Sequence, residues 1–318
     1  MRIVFLGTPD FSVPLLKALV AARFEVVAVV TAPDKPAGRG LQMKSPPVKE
    51  CALELGIPVL QPEKLKDPSF IEELRSYRAD IQVVVAFRML PEVIWNMPPM
   101  GTWNLHASLL PQYRGAAPIN HAIIQGEVIT GLSTFKLVHA IDEGAIALQL
   151  PMPIEARETA GSLHDRMSEA GAMLMLTTLK AIEANNIQLI EQSKLSRGET
   201  IKQAPKLNPE FCKIDWNQST HQIDCFIRGL SPFPGAHTTL HNGETSSGMK
   251  IFLAQPVEHT TTAGVEPGTL VIVNDSRALV KTADGWLELE NVQLAGKKRM
   301  ETELFLRGFR ASGKLFCA

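Results

Sequence analysis

The chain has 318 residues and a mass of 34.8 kDa, is 45% hydrophobic and 20% charged, and so has room for one large domain with a substantial core plus a smaller companion. A formal net charge of −1 and a pI near 6.7 exclude a uniformly basic nucleic-acid binder; an RNA partner would have to be met by local basic patches. Cys51, Cys212, Cys225 and Cys317 form no CxxC pair, which argues against a zinc knuckle or a dense disulfide framework and for free thiols in a reducing compartment.

Arg2 to Leu6 and Val26 to Val30 are short, nearly continuous β-branched runs, and Phe11 to Arg23 between them carries leucines and alanines at helical spacing. This is a βαβ opening, with no leader-like segment ahead of it and no apolar run of membrane-spanning length anywhere; a cytoplasmic protein with no membrane partner is expected. Ile81 to Ala86, Gly101 to Leu105 and Ser133 to Val138 read as further strands. The alternation predicts an α/β fold with a Rossmann-like, doubly wound, mostly parallel sheet. A helix over Ser162 to Ala181 is expected to close this half, with Ser162 and Asp165 as a capping box and Leu163, Met167, Ala170 and Leu174 on one face.

Beyond Glu183 a polar stretch without strong periodicity runs to about Lys206. The expected organisation is a first domain over 1–188, a linker over 189–206 and a C-terminal domain over 207–318. In the last part a helix over Ser219 to Leu230 precedes short strands separated by Gly, Asn, Asp and Pro, which predicts a small OB-like β-barrel.

A dinucleotide site would need G-x-G-x-x-G after the first strand. Here the turn reads Gly7-Thr8-Pro9-Asp10-Phe11-Ser12. Only the first glycine is present and a proline stands where a free amide would be useful, so a nicotinamide cofactor is not expected.

The most informative stretch runs from Asn104-Leu105-His106 through Ala107, Ser108-Leu109-Leu110-Pro111 and Gln112-Tyr113 to Arg114-Gly115-Ala116-Ala117-Pro118. It starts at the end of a strand, where ligands bind in open α/β sheets. Residues two apart in a strand face the same side, so Asn104 and His106 can converge on one ligand. An amide donor and an imidazole together suit acyl transfer, where one oxygen gains charge and one proton must move. Ala140-Ile141-Asp142-Glu143-Gly144 then offers a carboxylate after the next strand, able to orient the histidine. Taken singly, a histidine at a strand end or an aspartate in a turn is more often structural than catalytic.

In this order, Asn-x-His, Ser-Leu-Leu-Pro, Arg-Gly-Ala-Ala-Pro and Asp-x-Gly resemble the folate-dependent formyltransferases. The resemblance implies that Asn104, His106 and Asp142 form the catalytic trio. It also implies that 10-formyltetrahydrofolate, the formyl donor, is held by Ser108, Leu109, Leu110 and Pro111 and by the loop Phe87, Arg88, Met89 and Leu90, which is one residue shorter than in many relatives. No metal is implied.

The segment Thr31 to Lys49 is similar to the loop that the tRNA-acting members insert into the sheet domain. It carries Lys35, Arg39, Lys44 and Lys49 against the single Asp34, and cations on such an arm can neutralise phosphates. Ile214-Asp215-Trp216, Cys225 to Gly235 and Gln293 to Met300 resemble the C-terminal domain of the same enzymes, with Lys297 and Lys298 on a local basic run. The implied acceptor is the methionine α-amine of initiator methionyl-tRNA, read through Lys35, Arg39, Lys44, Lys297 and Lys298, and a monomer is expected. A sibling transferase acting on an amino sugar or nucleotide, a formyl-folate hydrolase and a non-catalytic tRNA binder remain open from sequence.

Overall fold

The computed structural model describes residues 1–37, 42–196, 198–260 and 264–318. Two compact units emerge, the first made of residues 1–115, 130–153 and 164–203, the second of 116–129, 154–163 and 204–318.

The first unit is built on β1 (Arg2–Gly7), β2 (Glu25–Val30), β3 (Val59–Leu60), β4 (Ile81–Val85), β5 (Thr102–His106), β6 (Ile129–Lys136) and β7 (Ile146–Pro153), laid side by side as β7-β6-β5-β4-β1-β2-β3. The pairs β1–β2, β1–β4, β2–β3 and β4–β5 are parallel, and β5–β6 is antiparallel. After β1 the chain builds outward through β2 and β3, then returns to the other side for β4 and β5. The strand order therefore reverses beside β1, the arrangement that opens a crevice at the carboxyl ends of the strands. Ile3, Val4, Phe5 and Leu6 are all fully buried, as consecutive residues must be when both faces of a parallel sheet are covered. On one face Phe70 and Leu74 of the helix Pro68–Ser76 join Val4, Leu6, Val30 and Val84.

Three features differ from expectation. The strand β6 starts at Ile129, four residues early, because Gly131 is accommodated inside it: a Cβ there would stand 2.3 Å from the Leu150 carbonyl oxygen. Its neighbour β7, with mixed burial, has no clean alternation to announce it. The long helix Ala160–Glu183 is capped not by Ser162 and Asp165 but by Thr159 and Ser162, whose backbone amides each donate to the other's hydroxyl (3.0 and 3.2 Å), while Asp165 faces His164 at 2.9 Å. After that helix, Ile190 pairs with Ile146 through two 2.9 Å backbone bonds and Gln192–Lys194 form a single tight turn.

In the second unit the strands β8 (Ala236–Asn242), β9 (Thr245–Val257), β10 (Leu270–Val273), β11 (Arg277–Lys281), β12 (Trp286–Leu294) and β13 (Leu315–Cys317) run β10-β11-β12-β9-β8-β13. All successive pairs are antiparallel. The sheet nearly closes on itself: the Cys317 amide donates to the Gly268 carbonyl (2.8 Å) and Thr269 bridges Phe316, just ahead of β10, so the unit is barrel-like and its two edge strands are brought together. The expected helix over Ser219 to Leu230 is present as Thr220–Gly229; it starts with a capping box, Ser219 with Gln222, and places Ile223 and Ile227 in the barrel core with Ile251, Val280 and Leu287. All four cysteines are free and buried; burial pushes the Cys317 thiol up to about 12, far from the range of reactive thiolates.

Candidate active site

The end of β5 supplies the first two groups. Asn104 is half-buried, and among the described residues nothing hydrogen-bonds its side-chain amide. His106 is 6% exposed, and its Nε2 lies 3.0 Å from the Tyr113 carbonyl oxygen. A carbonyl can only accept, so Nε2 carries a proton and Nδ1 is left as the acceptor of the neutral ring. That nitrogen is 3.9 Å from Asp142 Oδ2, beyond hydrogen-bond length but close enough for the carboxylate to act on a charge on the ring.

Asp142 is fixed by backbone. Its φ is +54°, a left-handed conformation that aspartate tolerates better than most residues, and its Oδ2 accepts the Gly115 amide at 3.0 Å. Gly144 in the same turn has no room for any side chain, since a Cβ would lie 1.8 Å from the Lys136 carbonyl oxygen. One participant was invisible in the sequence pattern. Gln192, 3% exposed, donates from Nε2 to the carbonyls of Asp142 (2.7 Å) and Gly144 (2.9 Å), and its Oε1 accepts from Arg114 Nε (3.1 Å) and Nη2 (2.7 Å). Arg114 Nη1 meets Glu143 at 2.7 Å. Of this group, Arg114-Gly115 and Asp142-x-Gly144 carried a signal in the motifs, and Gln192 carried none.

The Ser108–Pro111 turn is stiff for the same reason. Ser108 is fully buried, its hydroxyl donating to the Gln112 carbonyl (2.6 Å) and its carbonyl accepting from Ser133 Oγ (2.7 Å). Ser133 Oγ in turn accepts the Leu110 amide (3.1 Å), and Gln149 Nε2 bonds both the Leu110 carbonyl (2.9 Å) and Ser133 Oγ (2.8 Å). Leu110 packs into a core with Phe135 and Ile146, Pro111 is buried, and Leu109 is half-exposed. Because Val84 and Val85 pair with Asn104 and Leu105, the loop 86–90 leaves the same sheet edge one strand over. There Phe87 lies partly over the core, Arg88 is tied to the carbonyls of Pro62 and Glu63, Met89 is 74% exposed and Leu90 is buried. Of the eight residues assigned to the donor, Ser108, Leu110, Pro111 and Leu90 thus shape the surface from beneath, and Phe87, Arg88, Met89 and Leu109 retain surface of their own.

Among the residues assigned to tRNA, Lys35–Ala37 and Gln42–Lys44 form an antiparallel ribbon that sets Lys35 directly opposite Lys44. Both are exposed, and neither has an ion pair among the described residues; like charges facing across a ribbon repel. Arg39 lies outside the described residues. Lys49, counted with this basic group, is instead neutralised: its Nζ sits 2.6 Å from Asp34, which Gln61 also bonds at 2.8 Å. The bond from Gln61, then that from Lys49, holds the Asp34 carboxyl below the usual carboxylate range. In the second unit Lys297 and Lys298 are exposed and have no ion pair among the described residues, whereas Arg299 covers the Phe252 ring at 4.4 Å and Arg307 pairs with Glu303 at 2.8 Å.

The sequence matches the formyl transferase family over residues 1–179 and the formyl transferase C-terminal domain over residues 206–310. It is 47% identical over 312 residues to a methionyl-tRNA formyltransferase of Bacteroides fragilis, spanning 97% of this chain and 95% of that protein. It is 50% identical over 312 residues to the protein of the same name from Azobacteroides pseudotrichonymphae, spanning 96% and 95%. Among solved structures, HypX of Aquifex aeolicus in complex with tetrahydrofolic acid superposes with a TM-score of 0.65 at 19% identity, over 99% of this chain and 50% of that one; at that identity the likeness concerns the fold.

Proposed function

This chain belongs to the formyl transferase family, and on that footing we propose that it transfers the formyl group of 10-formyltetrahydrofolate to the α-amino group of methionine on initiator methionyl-tRNA, for translation initiation. The observation that carries the reading is the trio at this sheet edge: an Asn104 amide with no hydrogen-bond partner among the described residues, at the end of the strand that carries His106, and a His106–Asp142 pair 3.9 Å apart.

The donor supplies a carbonyl carbon open to attack by an amine; as the new C–N bond forms, the bond from that carbon to N10 breaks, and tetrahydrofolate leaves with N10 protonated by the equivalent of the proton the amine gives up. The chain's own groups do the rest. The Asn104 amide is positioned to donate to the oxygen on which charge builds, an interaction that strengthens as the charge grows and so lowers the barrier more than it tightens binding. With Nε2–H committed to Tyr113, Nδ1 of His106 is the site that can take the proton lost by the amine. A proton there arrives beside the Asp142 carboxylate, so the charge on the ring is met by an opposite one. The donor fits this edge on two counts: the Asn104 amide, without a hydrogen-bond partner among the described residues, and the accessible apolar surface of Phe87, Met89 and Leu109 above a turn immobilised by Ser108, Ser133 and Gln149. Arg88, Leu90, Leu110 and Pro111 complete that wall.

For the acceptor, Lys35 and Lys44 on the ribbon, Arg39 between them in the sequence, and Lys297 and Lys298 in the second unit would neutralise phosphates. Among the described residues no helix is long and apolar enough to cross a membrane. We read the protein as a monomer working in the cytoplasm. The deciding assay offers charged initiator tRNA, uncharged tRNA and free methionine in parallel with 10-formyltetrahydrofolate. Formylation of the charged tRNA alone is expected. Comparable formylation of a small amine, or full-rate release of formate without acceptor, would overturn the assignment.

A further inference from the structure

We propose that Gln192 is a positioning residue for formyl transfer, acting through Asp142. The inference rests on the function proposed above and adds to it a residue outside both the catalytic trio and the donor turn.

A side-chain amide has two N–H donors and one carbonyl oxygen with two lone pairs. In Gln192 all are used: Nε2 serves the carbonyls of Asp142 (2.7 Å) and Gly144 (2.9 Å), and Oε1 receives Arg114 Nε and Nη2 (3.1 and 2.7 Å). The amide thereby joins two loops. One is the 142–144 turn, which carries the carboxylate. The other begins at Arg114, whose neighbour Gly115 donates its amide to Asp142 Oδ2 at 3.0 Å. Both ends of Asp142, its carbonyl and its carboxylate, are therefore tied to the Arg114–Gly115 segment, one through Gln192 and one directly. Asp142 needs such ties because its backbone is left-handed, φ +54°, and a residue held there relaxes unless its surroundings fix it. Gln192 is itself anchored two residues after the double Ile190–Ile146 bond and is 3% exposed. It touches none of the reacting groups. What it sets is the 3.9 Å separation of Asp142 from His106 Nδ1, and small displacements of groups around a reacting centre can cost up to about a hundredfold in rate.

Gln192→Glu keeps the size and the Arg114 contacts but replaces the donors to both carbonyls with an oxygen. Gln192→Asn keeps the charge and withdraws the donors by one methylene. The full-length variants are compared with the parent for kcat and for KM toward 10-formyltetrahydrofolate and methionyl-tRNA, each in the parental background and with Asp142→Asn, and their folding is followed by thermal melting. Gln192→Glu is expected to lower kcat by about tenfold to a hundredfold with both KM values within about twofold, and Gln192→Asn to fall between it and the parent. With Asp142→Asn already present, either change should have less than about a twofold further effect, because the residue it positions is gone. Should Gln192→Glu fail to fold, Gln192→Asn carries the test alone. Parental kcat in the folded variants, a loss confined to KM, or full additivity with Asp142→Asn would each overturn the proposal. An inactive parent would instead count against the function on which it rests.

Discussion

The turn 142–144 and the ribbon made of Lys35–Ala37 and Gln42–Lys44 both carry charged residues, yet they treat those charges oppositely. Around Asp142 the polar atoms are tied: Oδ2 to Gly115, the carbonyls of Asp142 and Gly144 to Gln192, and Glu143 to Arg114. On the ribbon Lys35 and Lys44 face each other across the strands with no counter-ion among the described residues. A group that must meet a transition state is useful only if its place is set beforehand. A cation that must meet a polyanion gains most when it is not already satisfied. The contrast predicts that damage to the first loop appears in kcat and damage to the second in salt-dependent affinity.

The largest effect should come from the trio. Asn104→Ala, His106→Ala and Asp142→Ala are each expected to fold normally and to lower kcat by about a hundredfold or more, with KM for donor and tRNA little changed. Near-parental turnover in any one would remove that residue from the chemistry and blur the contrast. Gly144→Ala comes next. Its Cβ would stand 1.8 Å from the Lys136 carbonyl oxygen, so the turn must move and carry Asp142 with it; a kcat loss of about tenfold or more is expected. If crystallography showed Asp142 undisplaced in this variant while activity fell, the geometric account of the turn would fail.

How far this contrast was readable beforehand follows from the range of the interactions involved. The strands β1, β2 and β4 announce themselves as apolar runs, and Asn104 with His106 follows from the two-residue period of a strand. The cap at Ser219 is likewise local, complete within four residues. Gln192 is different. It sits in a polar stretch with no period, and its partners are 50 and 78 residues away, so its role exists only once the sheet has formed. The neutralisation of Lys49 needed the Asp34–Gln61 arrangement, contacts of 15 and 27 residues; counted along the sequence, Lys49 resembles Lys35 and Lys44. The cap at Thr159 escaped because Ser162 with Asp165 matched the same local pattern three residues later, and only the structure shows Asp165 taken by His164.

A moderate effect is expected from the ribbon. The double variant Lys35→Ala, Lys44→Ala should weaken methionyl-tRNA binding and reduce the slope of log affinity against log salt by about 1.4 to 1.8, some 0.7 to 0.9 for each cation removed. Binding of the folate donor should not change. A parental slope would mean that these lysines meet no phosphate, and the amino-sugar or nucleotide acceptor would regain ground.

Lys49 should show the smallest effect, and its sign is what makes it informative. Its charge is already met by Asp34 at 2.6 Å. The carboxyl of Asp34 is held below the usual range, first by Gln61 and then by Lys49. A depressed carboxyl supports its native contacts at every pH above its unfolded value of about 3.9 and loses them only as pH falls through the still lower folded value. At the neutral pH of an assay the pair is therefore intact, and Lys49→Ala should leave the salt slope near the parental one, in contrast to Lys35 and Lys44. Asp34→Asn works the other way. It removes the counter-ion, releases Lys49 to the phosphates, and should steepen the slope by up to about 0.9. Measuring tRNA affinity across a salt series for both variants separates a cation that is merely near the ribbon from one that is free to act. A flattened slope for Lys49→Ala, equal to that of Lys35→Ala, would show that the Asp34 pairing gives way in the tRNA complex.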